Sequence, residues 1–532
     1  MTAESLLLDG GTVHTLDDDR TTSNAIRFRN GRVDALGAKA RDVSGSDADT
    51  VDLDGCVVLP GFNDAHTHIP SVGMTLHETD LGAVERRSDA LDRLAENATS
   101  TDPDDWVLGF GYDESTWPVG DREYLTRSEL DAVSDDHPIA AQRVDGHTIS
   151  LNTAGLERVD FDGVEGDLRR DADGELTGVV VEDAVIRVQE STYPDREKAR
   201  TILDLGVRRA NELGLTSIQD MVGMTTPPGA GDSIHAAFHD AWRENDLPIR
   251  LGYYVHVDHV DELSTLELAS GFGDDRLRIL GLKVFADGSI GSRTAKLTGE
   301  FADDPGTDGQ FVIDPDHLES AFATAARANQ QIATHAIGDE AIDVVLDAYE
   351  AVLADYDVSD PRLRIEHVEL ATDEQIERMA DLDVVASMQP NFLQWSASGG
   401  LYEARLGERW LRENNRFRSI QDAGVSLAFG SDKMPFGPLY GIHCAVNAPH
   451  QAQRLSVDDA IRAYTRGGAY AEFEEDRKGT LEPGMLADAV ILDRDPYEYP
   501  RDIADIDVLA TIVGGEFVYR ADVPDRLTRS NV

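Results

Sequence analysis

His66 and His68 stand two apart at the end of the run Val57-Val58-Leu59-Pro60-Gly61-Phe62-Asn63-Asp64-Ala65-His66-Thr67-His68. The run begins as an apolar strand. Residues two apart on a strand share a side, so both imidazoles aim at one point and Thr67 faces away. Two neutral imidazoles converging from the end of a buried strand are the start of a divalent metal site. Taken alone, His-x-His is also the pattern of two ordinary loop histidines, so the rest of the chain has to supply partners.

Four further residues have suitable types and positions. His335 ends the apolar segment Ile332-Ala333-Thr334-His335, and His367 ends Leu363-Arg364-Ile365-Glu366-His367. Asp432 follows Leu427-Ala428-Phe429-Gly430-Ser431, and Lys283 lies inside the run Leu280–Ala286. His335 and His367 are 32 residues apart and His367 and Asp432 are 65 apart, the lengths of one and two β/α units. Each residue has a plainer reading taken singly: core histidines with satisfied hydrogen bonds, a turn-capping aspartate, a lysine in a surface ion pair. Together on successive strand ends, four histidines and a carboxylate suit Zn²⁺ or a similar borderline metal. A charged amine inside an apolar strand is costly to bury.

The elements that must position these residues follow from the alternation of apolar strands and helical stretches beyond residue 57, which is the pattern of a parallel α/β domain. The strands are expected near 57–66, 215–220, 250–256, 279–285, 331–335, 362–367, 384–389 and 425–430, with helices such as 316–329, 340–354 and 372–381. Eight units give a (β/α)₈ TIM-type barrel, whose active residues lie where strands end on the C-terminal face. The barrel is expected over 57–475 with an insertion of about 69–205, which carries strand-like pieces at Trp106–Gly111 and Ile139–Arg143. Residues 1–56 read as short strands: Ser5–Leu8 and Val13–Leu16 about Asp9-Gly10-Gly11, and Ala25–Arg29 and Arg32–Leu36 about Asn30-Gly31, each a hairpin signal. After residue 475 short strands return at Ala489–Leu492, Val508–Val513 and Phe517–Arg520. The two ends, 1–56 and 476–532, are expected to form one small β-sandwich.

Composition narrows the function classes. The 532 residues include 101 Asp and Glu against 48 Lys and Arg, a net charge of −53. Only six are lysines: Lys39, Lys198, Lys283, Lys296, Lys433 and Lys478. Such a charge disfavours nucleic acid and anionic membranes as partners. Its even spread points to a halophilic protein working in molar salt, where the Debye length is about 3 Å and self-repulsion is screened. The two cysteines, Cys56 and Cys444, make neither a disulfide framework nor a thiolate metal site. The N-terminal run lacks a basic region and is too short for a signal peptide, and no stretch reaches about 18 apolar residues. A soluble, cytoplasmic protein is the expectation.

Several segments, in their order along nearly the whole chain, resemble one family. They are Leu59-Pro60-Gly61-Phe62-Asn63-Asp64-Ala65-His66-Thr67-His68, Lys283-Val284-Phe285-Ala286-Asp287-Gly288-Ser289, Thr334-His335-Ala336-Ile337-Gly338-Asp339, Arg364-Ile365-Glu366-His367, Gly430-Ser431-Asp432 and Pro483-Gly484-Met485-Leu486-Ala487-Asp488. The set is similar to the amidohydrolase superfamily, and within it to the YtcJ-like, Amidohydro_3 type of metal-dependent hydrolase. The resemblance implies a barrel flanked by a β-sandwich of both termini. It implies a metal centre of His66, His68, His335 and His367, with Lys283 as a carbamate bridging two ions and Asp432 as metal ligand and proton acceptor. The cofactor implied is a divalent metal, Zn²⁺ by ligand type; spacing alone leaves one or two ions open. Gly109-Phe110-Gly111-Tyr112-Asp113 and Arg143-Val144-Asp145-Gly146-His147-Thr148 resemble segments that close over the metal. His147 is there the candidate for holding the substrate carbonyl or its oxyanion, with a plain loop histidine as the alternative. Trp117, Phe392, Trp395 and Phe436 are candidates for an apolar pocket or for packing, Asp220 reads as structural, and Met221–Pro228 reads as a loop.

The expected function is hydrolysis of a carbon–nitrogen bond other than a peptide bond, in an amide or an N-acyl or N-formyl amine. A mononuclear hydrolytic deaminase is the first alternative. His335-Ala336-Ile337-Gly338 lacks the acid that related deaminases carry three residues after this histidine. A non-catalytic scaffold is the second alternative. The expected partners are a small-molecule substrate and, by resemblance, a second copy in a homodimer.

Overall fold

Each apolar segment of the alternating region forms a parallel strand. They are β1 (Phe62–Thr67), β2 (Leu215–Asp220), β3 (Arg250–His256), β4 (Leu277–Phe285), β5 (Gln331–Ala336), β6 (Arg364–His367), β7 (Val385–Met388) and β8 (Ser426–Phe429). The structure, a computed structural model, describes residues 5–42, 48–103, 105–221, 232–356 and 360–522. The eight strands pair in sequence order from β1 to β8, and most of their residues are buried because helices cover the outer face of the ring. The Asp432 N–H donates to the His66 carbonyl at 2.8 Å and the Ser431 N–H to the Asp64 carboxylate at 3.0 Å, which brings the end of β8 back to β1. Gly430 permits this approach: a Cβ there would lie 2.4 Å from the His66 nitrogen.

The helices expected between the later strands are Pro315–Arg327, Asp339–Asp355 and Asp373–Asp381. The second buries Ala341, Ile342, Val345, Leu346, Tyr349 and Val352, the three- and four-residue spacing of one helical face. Helices Ile69–His77 and Arg196–Glu212 pack on each other beside β1 and β2, so closely that a Cβ on Gly73 would meet the Ile202 carbonyl oxygen at 1.7 Å.

The strand expected over 57–66 is two strands. Val57–Pro60 belongs to a different sheet, where it pairs antiparallel with Ala489–Leu492 and parallel with Thr12 and Val13. The break is at Gly61, whose N–H donates to the Asp488 carbonyl and whose Cβ would overlap the Thr216 side chain. Val57 and Leu59 face the barrel core and Val58 faces the other sheet's core, as the two-residue period requires. An apolar run carries no sign of which of two sheets it joins, so the division was invisible in the sequence.

That second sheet runs Glu516–Arg520, Val508–Val513, Ala489–Leu492, Val57–Pro60, Ser5–His14, Thr22–Arg29, Arg32–Leu36, with Ala48–Asp52 also on Ser5–His14. Strands from both ends of the chain thus share a core of Leu8, Val13, Ile26, Phe28, Val58, Ile491, Leu509 and Ile512. The Asn30-Gly31 hairpin is present, with both residues at positive φ, 50° and 73°. The hairpin expected at Asp9-Gly10-Gly11 is not: Ser5–His14 is one strand, and its register shifts between Asp9 and Val13. Gly10, at φ 82°, serves a bulge, which draws on the same left-handed freedom as a tight turn. The Arg250 guanidinium grips the Asp488 carboxylate at 2.6 and 2.9 Å and ties this sheet to β3.

Between helices Ile69–His77 and Arg196–Glu212 the chain forms a six-stranded sheet in the order Leu168–Arg170, Leu176–Val181, Thr148–Leu151, Ile139–Arg143, Val107–Tyr112, Thr79–Asp80. One face of Val107–Tyr112 carries Leu108 and Phe110 towards the barrel mouth; the other packs Val107 and Tyr112 into the insertion's own core. Among the described residues no helix is long and apolar enough to cross a membrane.

Candidate metal centre

His66 is the fifth of the six residues of β1 and is buried. His68 lies just beyond the strand, as the residue preceding helix Ile69–His77, with φ −123° and ψ 76°. It nonetheless reaches the same point: His68 Nε2 is 3.1 Å and His66 Nε2 3.8 Å from Asp432 Oδ1. The ligand atoms of these three residues all lie within 4.8 Å of one another. Asp432 follows β8 on a left-handed turn, with φ 46° there and 59° at Lys433. His367 closes β6 at φ 76°, and its ring stands 4.7 Å from that of His66 and 4.5 Å from that of His335 at the end of β5.

Hydrogen bonds fix the tautomers. The Glu366 carboxylate accepts from His66 Nδ1 at 2.7 Å, which leaves Nε2 with its lone pair. Gln389 Oε1 accepts from His367 Nδ1 at 2.7 Å. His335 donates through Nε2 to the Gly288 carbonyl at 3.1 Å, so its Nδ1 is the lone-pair nitrogen. Burial holds all three imidazoles well below the usual histidine range, reinforced by Lys283 beside His66, by His367 beside His335 and by His66 beside His367. They are therefore neutral donors. Burial pushes the Asp432 carboxyl up and the His68 hydrogen bond draws it down, leaving it below the usual carboxylate range, at about 2. An ionised carboxylate facing neutral imidazoles is a donor set that suits a divalent cation of the zinc type.

Lys283 lies in β4, fully buried, and its Nζ has no hydrogen-bond partner among the described residues. The Phe285 ring centroid lies 4.9 Å from this amine. Burial draws the amine down to about 8. Asp287, the one partner the sequence offered, is occupied elsewhere: its carboxylate accepts the N–H groups of Lys296, Ile337 and Gly338. An orphaned amine in this position does not suit a further cation, but it suits a group that the amine can bind covalently.

Beneath the histidines lies a network that the sequence reading did not assign. Arg364, also fully buried, donates to both oxygens of Glu366, to Gln219, Tyr254 and Ser387, and to the Ala65 carbonyl. It thereby links β1, β2, β3, β6 and β7 at the barrel axis. The signal was present: an Arg and a Glu two apart on a strand buried on both faces share a side, and neither is buried without a partner. Gln389 carried no comparable signal.

His147 faces the centre from the insertion. Its Nδ1 is 3.0 Å from Glu182 Oε2, and its N–H donates to Asp145. Burial lowers its affinity for a proton, but Glu182, with Asp145 and Asp432 beyond it, raises it to about 9. A cavity of about 450 Å³ brings His147 together with His66, His68, Lys283, His335, His367 and Asp432. A smaller chamber of about 60 Å³ shares His147, His335, His367 and Asp432 with it and is lined by Phe392 and Trp395. Trp117 does not line either cavity; it is core of the insertion, its indole N–H on the Val84 carbonyl. Phe436 packs against the barrel core. Asp220 accepts the Ile69 N–H at 2.7 Å, a structural cap. Of the segment Met221–Pro228, only Met221 falls within the described residues.

The profile of a family described as "Amidohydrolase family" matches residues 49–519. Protein LONG AFTER FAR-RED 3 of Arabidopsis thaliana is 31% identical over 97% of this chain and 91% of its own length. The N-substituted formamide deformylase of Arthrobacter pascens is 26% identical over 97% and 98%. The crystal structure of an uncharacterized metal-dependent hydrolase from Pyrococcus furiosus superposes with a TM-score of 0.74 at 29% identity, covering 93% of this chain and all of that one.

Proposed function

This chain belongs to the amidohydrolase family, and from that premise we propose that it is a metal-dependent hydrolase of a non-peptide carbon–nitrogen bond, in an N-acyl or N-formyl amine. The observation that carries the reading is the convergence of His66, His68 and Asp432 on one point in a cavity that also holds Lys283, His335, His367 and His147. The relative named as an N-substituted formamide deformylase supports the bond class.

A divalent cation, Zn²⁺ by donor type and one or two in number, supplies Lewis acidity when bound: it brings the pKa of water towards about 7 and polarises a carbonyl. Asp432, ionised and held by His68, accepts a proton from the attacking water and returns it to the leaving nitrogen. His147, kept as a donor by Glu182, holds the carbonyl oxygen as negative charge develops on it. Glu366 and Gln389 orient His66 and His367. Lys283, drawn down to about 8, has a share of neutral amine at pH 7. That amine adds CO₂ and loses a proton to form a carbamate, which replaces a cation by an anion with two oxygens to offer. Related deaminases usually carry an acidic side chain three residues after the histidine that stands here as His335, and its lack here lowers the deaminase alternative. Gly338 stands there, where a Cβ would lie 1.8 Å from the Lys296 carbonyl oxygen.

The test is metal analysis of the full chain purified in molar KCl, followed by a screen of N-formyl and N-acyl amines, cyclic amides and aminopurines with added Zn²⁺ or Mn²⁺. The expected result is bound metal and release of amine from an acyl or formyl substrate. Ammonia release from aminopurines alone would establish the deaminase. A folded protein that binds no metal would make it a scaffold.

A further inference from the structure

Two spaces of very different size meet at the candidate metal centre. The main cavity of about 450 Å³ and the chamber of about 60 Å³ share His147, His335, His367 and Asp432, so a substrate held at these four residues extends from them into both. The chamber's wall begins at one of the four. The Phe392 ring lies within 9° of parallel to that of His367, with centroids 6.0 Å apart, and Trp395 packs on Phe392 at 5.1 Å. The Trp395 indole N–H donates to Asp113 of the insertion at 3.2 Å, which holds the ring in place. Ile290, Ile337 and Tyr402, buried members of one hydrophobic cluster, line the chamber further. A cavity that takes up benzene measures about 150 Å³, and the share of one water in the liquid is about 30 Å³. The chamber therefore has room for a hydrogen or a methyl group and none for a phenyl ring. The main cavity falls in the range of about 300–1,000 Å³ common for small-molecule sites.

Charge assigns the two parts of the substrate to the two spaces. Hydrolysis breaks the C–N bond and forms a C–O bond: R–CO–NH–R′ and water give R–COO⁻ and R′–NH₃⁺, so the amine leaves as a cation. Asp167 and Asp183 line only the main cavity, and neither has an ion-pair partner among the described residues. Burial and the like charge of Asp183 raise the Asp167 carboxyl, the mark of negative charge without a counter-ion. The cavity's two lysines, Lys283 and Lys433, face Asp432 instead. Of the charged groups that line only the chamber, Glu369 accepts from the Tyr402 hydroxyl and Arg143 is paired with Asp113 and Glu114.

We propose that the small chamber is the acyl pocket, limited by Trp395 with Phe392 and Leu401, and that the enzyme takes amides of a very small acid, formyl or acetyl, on a large amine. This rests on the amide-hydrolase reading and narrows its substrate class. A longer acyl group has to displace Trp395 from Asp113 or leave its carbonyl short of the centre. Misfits of this size in a packed pocket cost about 10–200-fold.

The test uses the metal-loaded full chain in molar KCl. One series keeps the amine and lengthens the acid: the formyl, acetyl, butanoyl and benzoyl amides of 2-phenylethylamine. The other keeps a large acid on a small amine: 3-phenylpropanamide and its N-methyl derivative. Binding is measured by calorimetry and turnover by release of amine or ammonia. The formyl and acetyl compounds should bind, and be turned over, at least about tenfold better than the benzoyl compound and the second series. Trp395→Ala and Leu401→Ala, with fold and metal content checked by circular dichroism and metal analysis, should each narrow the gap between acetyl and butanoyl; should one variant misfold, the other and the parent series decide. A parent preference below tenfold, a preference for the second series, no binding of any compound at millimolar concentration, or an acetyl-to-butanoyl gap unchanged in the folded variants would each overturn the proposal. Size selection in binding without turnover of any amide would leave the pocket standing and remove the hydrolase reading. Turnover without size selection would do the reverse.

Discussion

Replacing Glu366 by Gln tests the centre through a residue that touches no substrate. The carboxylate accepts from Arg364 at 2.8 and 3.1 Å and from His66 Nδ1 at 2.7 Å, and both Glu366 and Arg364 are fully buried. Glutamine preserves the shape but turns one oxygen into a donor, so at least one of these bonds is lost and the Arg364 charge is no longer neutralised. Breaking a buried ion pair costs about 3–5 kcal/mol. The lower end, about 3 kcal/mol, applies here, because Gln219, Tyr254, Ser387 and the Ala65 carbonyl still accept from the guanidinium. The second effect is on the metal. Loss of a partner that orients a ligating histidine lowers affinity about 10–100-fold, which is about 1.4–2.7 kcal/mol. Since binding to the native state adds to stability, the variant should lose about 3 kcal/mol without metal and about 4.5–6 kcal/mol at a fixed, saturating Zn²⁺ concentration for the parent. Guanidinium chloride midpoints with and without Zn²⁺ give the two losses, and chelator competition gives the affinity directly. A variant whose Zn²⁺ affinity stays within twofold of the parent's, with the same loss of stability in both conditions, would refute the assignment of His66 as a ligand oriented by Glu366.

Three further outcomes are expected. Lys283→Ala should lose activity, and acetate or propionate should restore part of it by filling the gap; a metal-loaded structure with an unmodified Lys283 amine turned away from a single ion would end the two-ion mechanism. His66→Ala, His68→Ala, His335→Ala and His367→Ala should each lower metal content, whereas Asp432→Asn should keep the fold and lose about 10²–10⁴ in rate; full activity in Asp432→Asn would remove it as the proton acceptor. With a net charge of −53, the protein should keep its fold and activity in molar KCl and lose both on dialysis to tens of millimolar salt; native circular dichroism and unchanged activity at low salt would show that the charge has another purpose.

The strand ends were legible because both signals are local. A run buried on both faces reads as an apolar segment, and the polar residue that ends it stands out against the run, as His335 and His367 do. The barrel order followed from the alternation of such runs with helical periodicity, and the Asn30-Gly31 hairpin from two residues suited to positive φ. Local signals also misled. Asp9-Gly10-Gly11 has the composition of a turn, but the glycine freedom is used by a bulge in a continuous strand. The apolar run from Val57 reads as one strand, although Gly61 divides it between two sheets.

The sequence by itself determined which strands carry histidines and a carboxylate at their ends, and that Lys283 would be an amine without an obvious partner. Only the tertiary structure decided how those side chains are completed: that Glu366 orients His66 from 300 residues away, that Asp432 meets His68 across the closure of the ring, and that His147 is held by Glu182 rather than by a neighbour in the chain. Periodicity reports which side of an element a residue faces, over a few residues. Which residue it meets there depends on strand register, on the closure of the barrel and on the docking of the insertion, all of which are set by packing among segments distant in sequence.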